Sequence, residues 1–149
     1  MKISTKVECG IIALVDICIH ADGDEVVTIV TIARRQNLSA KYLEQIVPLL
    51  KHADIIRSVK GAKGGYRLSR SPQQINMKQV VTALDSTVLS DAVFDQMEQT
   101  HIISAIDKCM WNRMSDSLRN IAEQITLADI AEHYGQISDE NSEQLMYYI

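Results

Sequence analysis

The chain has 149 residues, of which 46% are hydrophobic and 23% charged, with a formal net charge of −4. This composition suits one or two small domains with a buried core, and it excludes collagen-like, low-complexity and wholly disordered proteins. No run approaches about 20 uncharged apolar residues, and the first residues do not read as a signal peptide. With only three cysteines, we therefore expect a cytoplasmic protein with reduced thiols.

The charge is divided between two halves of opposite sign. Residues 1–70 carry a net charge of +4 and residues 71–149 a net charge of −8. Residues 26–70 alone hold 9 basic side chains against Glu44 and Asp54, a net of +7. This segment is either ordinary solvated charge or a surface that binds a polyanion such as nucleic acid.

Apolar spacing predicts helices over residues 4–21, from Thr28, over 40–52 and over about 76–85, with Thr5 and Glu8 forming a capping box. Residues 55–68 predict a β-hairpin around a glycine-rich basic turn, and Val26-Val27 a short strand. A long helix over 103–125, a shorter one over 126–133 and a polar, flexible tether over 136–144 follow. We expect a DNA-binding domain at 1–85, dimerisation helices at 86–135, and a tether with an apolar end at 136–149.

The order of these elements is that of a winged helix-turn-helix. The fold class is thus mainly α with a small β wing, followed by a long C-terminal dimerisation helix. In this fold one helix fills the major groove of DNA and the hairpin reaches an adjacent groove or the backbone. On the third helix Lys41, Gln45 and His52 lie opposite the apolar stripe, flanked by Tyr42 and Glu44. These side chains could read bases or simply form the solvated face of an amphipathic helix.

The wing combines basic and glycine residues. Lys60, Lys63, Arg67 and Arg70 surround Gly61, Gly64 and Gly65, which would let backbone N–H groups approach a phosphate. A basic, glycine-rich hairpin is also a common surface loop. Together with the helices, however, it favours DNA binding.

Three stretches resemble one known family. They are Met1–Lys6, the Leu-Ser-x-x-Tyr-Leu-Glu-Gln run at 38–45, and the Ser-Val-Lys-Gly-Ala-Lys-Gly-Gly-Tyr run at 58–66, and they resemble the Rrf2 family of bacterial regulators. The resemblance implies a homodimer on a palindromic operator in double-stranded DNA, with Ser39, Tyr42, Glu44 and the wing contacting bases or backbone. The candidate DNA-binding residues are Ser4, Lys6, Thr28, Ser39, Lys41, Tyr42, Glu44, Gln45, Lys60, Gly61, Lys63, Gly64, Gly65, Tyr66 and Arg67.

Two positions depart from the family pattern. Val7-Glu8-Cys9 stands where relatives carry Gly-Arg-Tyr, so an acid replaces a phosphate-contacting arginine. This leaves open a changed operator preference or a protein-interaction module that has lost DNA binding. Pro48 lies inside the third helix, where it removes one backbone donor and predicts a kink.

The sequence does not indicate a cofactor, a metal site or a catalytic site. Several relatives hold an iron–sulfur cluster on three cysteines between the fourth helix and the dimerisation helix, but residues 86–108 contain no cysteine. Cys9 and Cys18 fall on opposite sides of one helix, about 13 Å apart along it, too far to share a metal. Cys109, beside Lys108, is a candidate redox thiol, which makes a thiol-based sensor the alternative function.

The C-terminal part carries two candidate interfaces. An apolar stripe predicts dimerisation through Ile103, Ile106, Met110, Trp111, Met114, Leu118, Ile121 and Ile125. The chain ends on Tyr147, Tyr148 and Ile149, which resembles the cysteine-metabolism repressors of the family, whose partner is cysteine synthase. We therefore predict a repressor of cysteine or sulfur metabolism whose end binds either that enzyme or the other subunit.

Overall fold

The computed structural model describes residues 3–91 and 98–148. Within them the helices are α1 (Thr5–His20), α2 (Ile29–Gln36), α3 (Ala40–His52), α4 (Met77–Leu84), α5 (His101–Ile106), α6 (Asn112–Gln124) and α7 (Leu127–Tyr147). An antiparallel pair, β1 (Ile56–Val59) and β2 (Gly65–Leu68), forms the wing. The predicted fold class, mainly α with a β wing, is confirmed. No helix among the described residues is both long and apolar enough to cross a membrane.

The first three helices begin at hydroxyl side chains. Ser4, Thr28 and Ser39 each accept a hydrogen bond from the backbone N–H three residues later. These bonds satisfy one of the donors that the first turn of a helix leaves without a partner. The capping box predicted for Thr5 and Glu8 is wrong, because Ser4 is the N-cap and Thr5 is already the first helical residue.

Helix α1 runs through the centre of the core and packs against α2, α3, α4 and α7. The stripe predicted for α3 is confirmed, since Leu43, Ile46, Val47 and Leu50 are all fully buried. Helix α3 continues through Pro48, which is exposed. The core therefore faces one side of α3 and leaves the opposite side to solvent.

A pair of backbone hydrogen bonds joins the wing to the core. Val27 N donates to Tyr66 O at 2.9 Å, and Tyr66 N donates to Val27 O at 2.8 Å. The short strand predicted at Val26-Val27 is thus reduced to one bridge. Arg70 fixes the other end of the hairpin by donating to Asp54 O at 2.6 Å.

The predicted dimerisation helix is continuous over 101–124 but contains a π-helical turn at Asp107–Trp111. Ile106, Met110 and Met114 are spaced by four residues, a spacing that drifts about 40° per step around an α-helix. The wider π turn falls between them and offsets part of that drift. Ile125 lies just beyond α6 in an extended conformation, outside the helix to which the sequence assigned it.

The predicted flexible tether is wrong. Residues 136–144 lie inside α7, which continues to Tyr147, so the predicted boundary at 135/136 falls within a helix. A capping box of Thr126 and Asp129 starts α7, and no proline follows to interrupt it. The polar composition of this segment reflects exposure rather than loss of helix.

Candidate DNA-binding surface

The solvent face of α3 carries three of the predicted base-reading side chains. Lys41, Glu44 and Gln45 are exposed, on the side opposite the buried stripe. The Ser39 hydroxyl caps the N-terminus of the helix. Tyr42 is half-buried and packs against the core, and its contact with DNA stays a prediction. This face presents a cation, a carboxylate and an amide, side chains that can pair with base edges in a major groove.

The tip of the wing is basic and open to solvent. Lys60, Gly61 and Lys63 are exposed. Gly61 has a φ of +120°, a backbone conformation that would be strained for a residue with a side chain. The tip closes through a hydrogen bond from Gly64 N to Gly61 O at 3.0 Å. Lys60 and Lys63 are thus placed on a turn where they can meet phosphates without unfolding the hairpin.

Gly64 and Gly65 have a structural role that the sequence did not reveal. A Cβ at Gly65 would lie 2.8 Å from Val27 O, and one at Gly64 would lie 2.5 Å from Val59 O. Both glycines therefore permit close backbone approach within the protein. Phosphate approach was the prediction for these positions, and it is not needed to explain them.

The side chains of Tyr66 and Arg67 contact other parts of the domain and do not lie at the wing tip. Arg67 donates to the Gly23 carbonyl and its Nη1 lies 3.8 Å from Asp24 Oδ1. Tyr66 is half-buried at the bridge to Val27. Of the predicted basic wing residues, Lys60 and Lys63 are the ones left exposed.

The remaining predicted contacts lie at helix N-termini. Ser4 and Thr28 are N-caps, and such termini favour phosphate because backbone N–H groups and the helix dipole point outward.

Lys6 is half-buried, near Asp85. The pKa of the Asp85 carboxyl lies below its ordinary value, mainly because the Thr87 hydroxyl and backbone N–H donate to it, and the charge of Lys6 adds to this.

A buried ion-pair cluster, not predicted from the sequence, connects α1 to α2. The Asp16 side chain is fully buried, and Arg35 donates to it twice, Nη2 to Oδ1 at 2.6 Å and Nε to Oδ2 at 3.0 Å. Gln36 Nε2 donates to Oδ2 at 2.8 Å. The signal in the sequence was an aspartate between the core residues Leu14 and Ile17.

The pKa of Asp16 reflects opposing effects. Burial raises it, but the hydrogen bonds from Arg35 and Gln36 and the charges of Arg35 and His20 together outweigh burial, so the pKa lies below its ordinary value. The hydrogen bonds to Asp16, aided by its charge, raise the pKa of Arg35. The pair is therefore ionised at neutral pH.

The predicted dimerisation stripe is largely uncovered. Met114 is 57% and Ile121 55% exposed, and Ile106 and Met110 are also exposed. Ile103, Trp111 and Leu118 are half-buried. Trp111, Met114 and Leu118 line a cavity of about 500 Å³ together with residues 87–91. Arg119 holds that segment on α6 by donating to Leu89 O at 3.1 Å and to Asp91 Oδ1 at 2.8 Å.

The three cysteines lie in different environments. Cys9 is buried, and burial, aided by the charge of Glu8, raises the pKa of its thiol. Burial also raises the pKa of the half-buried Cys18 thiol. Cys109, the predicted redox candidate, is exposed.

The end of α7 is apolar and uncovered. Leu145 and Met146 are exposed, and Tyr147 and Tyr148 are each 92% exposed. Ile149, the third predicted partner-binding residue, lies outside the described residues. Four consecutive large apolar side chains in water are unusual for a surface with no partner.

The comparisons with known proteins agree with this architecture. A family model described as Rrf2, iron-dependent transcriptional regulator, matches residues 3–133. The chain belongs to the Rrf2 family. Its relatives are named as transcriptional regulators, in agreement with the prediction that the chain is a DNA-binding regulator and not an enzyme.

Two relatives illustrate the range of the family match. The HTH-type transcriptional regulator CymR of Bacillus subtilis is 30% identical over 149 residues, covering 100% of both chains. The regulator IscR of Cereibacter sphaeroides is 36% identical over 89 residues, 59% of this chain and 57% of that protein.

Solved structures of the same two kinds superimpose on the chain. The structure of CymR, titled the global cysteine regulator of B. subtilis, superimposes with a TM-score of 0.75 at 28% identity, covering 89% of this chain and 98% of that one. T. potens IscR superimposes with a TM-score of 0.72 at 30% identity, covering 90% and 88%.

The iron named in the family description has no matching ligand set in the described part of this chain. Over residues 3–91 and 98–148, no group of three or more His, Cys, Asp or Glu side chains could hold a metal ion. The residues described thus do not fit an iron centre.

Proposed function

We propose that the chain acts as a homodimer that represses transcription in the cytoplasm by occupying a palindromic operator. The observation that carries the proposal is the side of α3 opposite the core. Lys41, Glu44 and Gln45 are exposed there, whereas the stripe from Leu43 to Leu50 on the other side of the helix is buried. Lys60 and Lys63 at the wing tip supply contacts to phosphates, which dominate affinity and make it depend on salt.

The homodimer is supported by the exposed stripe on α5 and α6. A two-fold axis would bring the same surface of two subunits together and cover Met110, Met114 and Ile121. Two recognition helices would then face successive major grooves, which requires an operator with two inverted half-sites.

The test is DNA binding to a duplex carrying the region upstream of its own gene, measured by fluorescence anisotropy over a salt series. Lys60→Ala and Lys63→Ala should each weaken binding to all sequences and reduce the salt slope by about one unit. Glu44→Ala should change the ranking of operator variants at an unchanged slope. A ranking that stays the same contradicts base reading by Glu44, and a chain that binds no DNA contradicts the proposal as a whole.

We further propose a role in cysteine or sulfur metabolism through a partner enzyme, cysteine synthase. It is supported by the full-length match to CymR and by the uncovered apolar end at Tyr147 and Tyr148. Recognition of Ile149 would use its carboxylate as well as its side chain, a known mode of terminal capture.

Calorimetric titration of the host cysteine synthase with the intact chain and with a chain lacking Ile149 tests this role. Truncation should cost at least tenfold in affinity while the dimer and DNA binding stay intact. Equal binding by both chains contradicts capture of the terminus. Loss of the dimer on truncation shows instead that the end packs on the other subunit.

A thiol-based sensor is the second candidate, favoured by the exposure of Cys109 in the π-helical turn, next to Lys108. Alkylation of Cys109 should then change DNA affinity, and Cys109→Ser should abolish that response. If alkylation of the wild-type chain leaves DNA affinity unchanged, the sensor is excluded.

A further inference from the structure

Asp16 is a buried charge that the proposed DNA contacts do not use. It is 1% exposed, whereas the residues proposed to meet DNA lie on α3, on the wing and at helix N-termini. An ionised group in a protein interior is costly unless it is fully paired. Here both oxygens are occupied, by the two Arg35 bonds and the one from Gln36.

These partners occupy a particular place in the fold. Arg35 and Gln36 are the last two residues of α2. The next residue, Asn37, turns the chain with a φ of +52°, and Ser39 starts α3 two residues later. Asp16 thus binds the end of α2 to α1 directly before the turn that leads into the recognition helix.

We propose that Asp16 is a positioning residue for DNA binding, acting through Arg35 and Gln36 to fix the direction of α3. This rests on the proposed function, in which α3 enters the major groove. Buried Ile32 and Ala33 hold α2 against the core, but apolar contacts are non-directional. The bidentate hydrogen bonds from Arg35 to Asp16 have a fixed planar geometry, so they define the orientation of the end of α2.

The proposed base-reading residues lie in the first two turns of α3. Gln45 is five residues beyond Ala40, about 8 Å along the helix, so a tilt of about 10° at the start of α3 moves its backbone by roughly 1 Å. Contacts to base edges tolerate errors of only about 0.5 Å. A small loss of order at the end of α2 therefore becomes a large loss of affinity.

Asp16→Asn separates positioning from simple electrostatics. The substitution removes one negative charge and releases Arg35 from its pairing. If charge alone governed binding, the variant would bind DNA as tightly as the wild type or more tightly. Positioning predicts the opposite, a weaker complex from a more positive protein.

The experiment uses the full-length chain and the upstream duplex, with affinity measured by anisotropy at several salt concentrations. Asp16→Asn and Arg35→Lys should each weaken DNA binding at least tenfold, because neither variant keeps the bidentate ion pair between residues 16 and 35. The matched control is Arg34→Lys, a like substitution at the exposed neighbour, which should change affinity less than twofold. A folded Asp16→Asn chain that binds as tightly as the wild type overturns the proposal.

A double variant, Asp16→Leu with Arg35→Met, distinguishes positioning from a loss of stability. Replacing a buried ion pair by apolar side chains is often neutral or stabilising, so this chain should unfold at or above the wild-type temperature. If it still binds DNA at least tenfold more weakly, the pair orients α3. If wild-type affinity returns with stability, the pair is only structural and the proposal is wrong. Failure of the wild-type chain itself to bind the duplex refutes the proposed function instead.

Discussion

Gly65→Ala tests whether the wing glycines serve the fold or the DNA. The added Cβ would lie 2.8 Å from Val27 O, at the bridge where two hydrogen bonds join the wing to the core. Relief of this clash separates Val27 from Tyr66. Each lost backbone hydrogen bond costs about 0.5–1.5 kcal/mol, so the free energy of unfolding should fall by about 1–3 kcal/mol. For a chain of this size the Tm should fall by roughly 2–12 °C.

The assay is urea unfolding of the free protein, followed by circular dichroism, alongside DNA binding. Gly135→Ala is the matched control, because Gly135 lies in α7 and nothing is within 4 Å of an added Cβ. That substitution should stabilise the chain by about 0.5–1 kcal/mol. If Gly65→Ala leaves unfolding unchanged but weakens DNA binding, the reasoning fails and the glycine serves the approach of a phosphate.

Three other outcomes are expected. Met114→Asp should give a monomer or an insoluble chain, because it places a charge in the proposed dimer interface; light scattering from a soluble wild-type monomer at micromolar concentration contradicts that interface. Asp16→Asn should cost about 1–3 kcal/mol at pH 7, less than a fully buried pair because Arg35 is 31% exposed. Because the pKa of Asp16 is lowered in the folded chain, its ionised form stabilises the fold at any pH above about 4, the ordinary pKa of an aspartate. This stabilisation is lost as the pH falls through the pKa of Asp16 in the folded chain. The loss of unfolding free energy caused by Asp16→Asn, measured by urea unfolding, should therefore become smaller in acid. Cys109 should react with a thiol reagent much faster than Cys9, which mass spectrometry of the folded chain measures.

The sequence predicted the elements whose signal is local. The apolar residues of α3 from Leu43 to Leu50 repeat at helical spacing. The glycine-rich run after Val59 favours a turn between two strands. Ser39 caps α3 as expected, because an N-cap depends on residues only three positions away.

The features that the sequence did not predict depend on distant residues or on weak rules. Asp16 and Arg35 are 19 residues apart, and no periodicity marks such a pair. The role of Gly65 depends on Val27, which approaches it only in the folded wing. The polar, acidic composition of residues 136–144 predicts a tether, but an exposed helix needs no apolar stripe, and these residues lie inside α7.

The continuation of α7 changes how its apolar end meets a partner. A flexible tether lets its end search a volume and engage a site over a range of distances. The 21 residues of α7 instead form a rod about 31 Å long, anchored by the buried Leu127. Tyr147 is thus held at a set distance and direction from the DNA-binding domain. A dimer would present two such helices at a fixed spacing. A partner with two binding sites could hold both helices at once only if its sites have the same spacing, and without that match there is no gain in avidity.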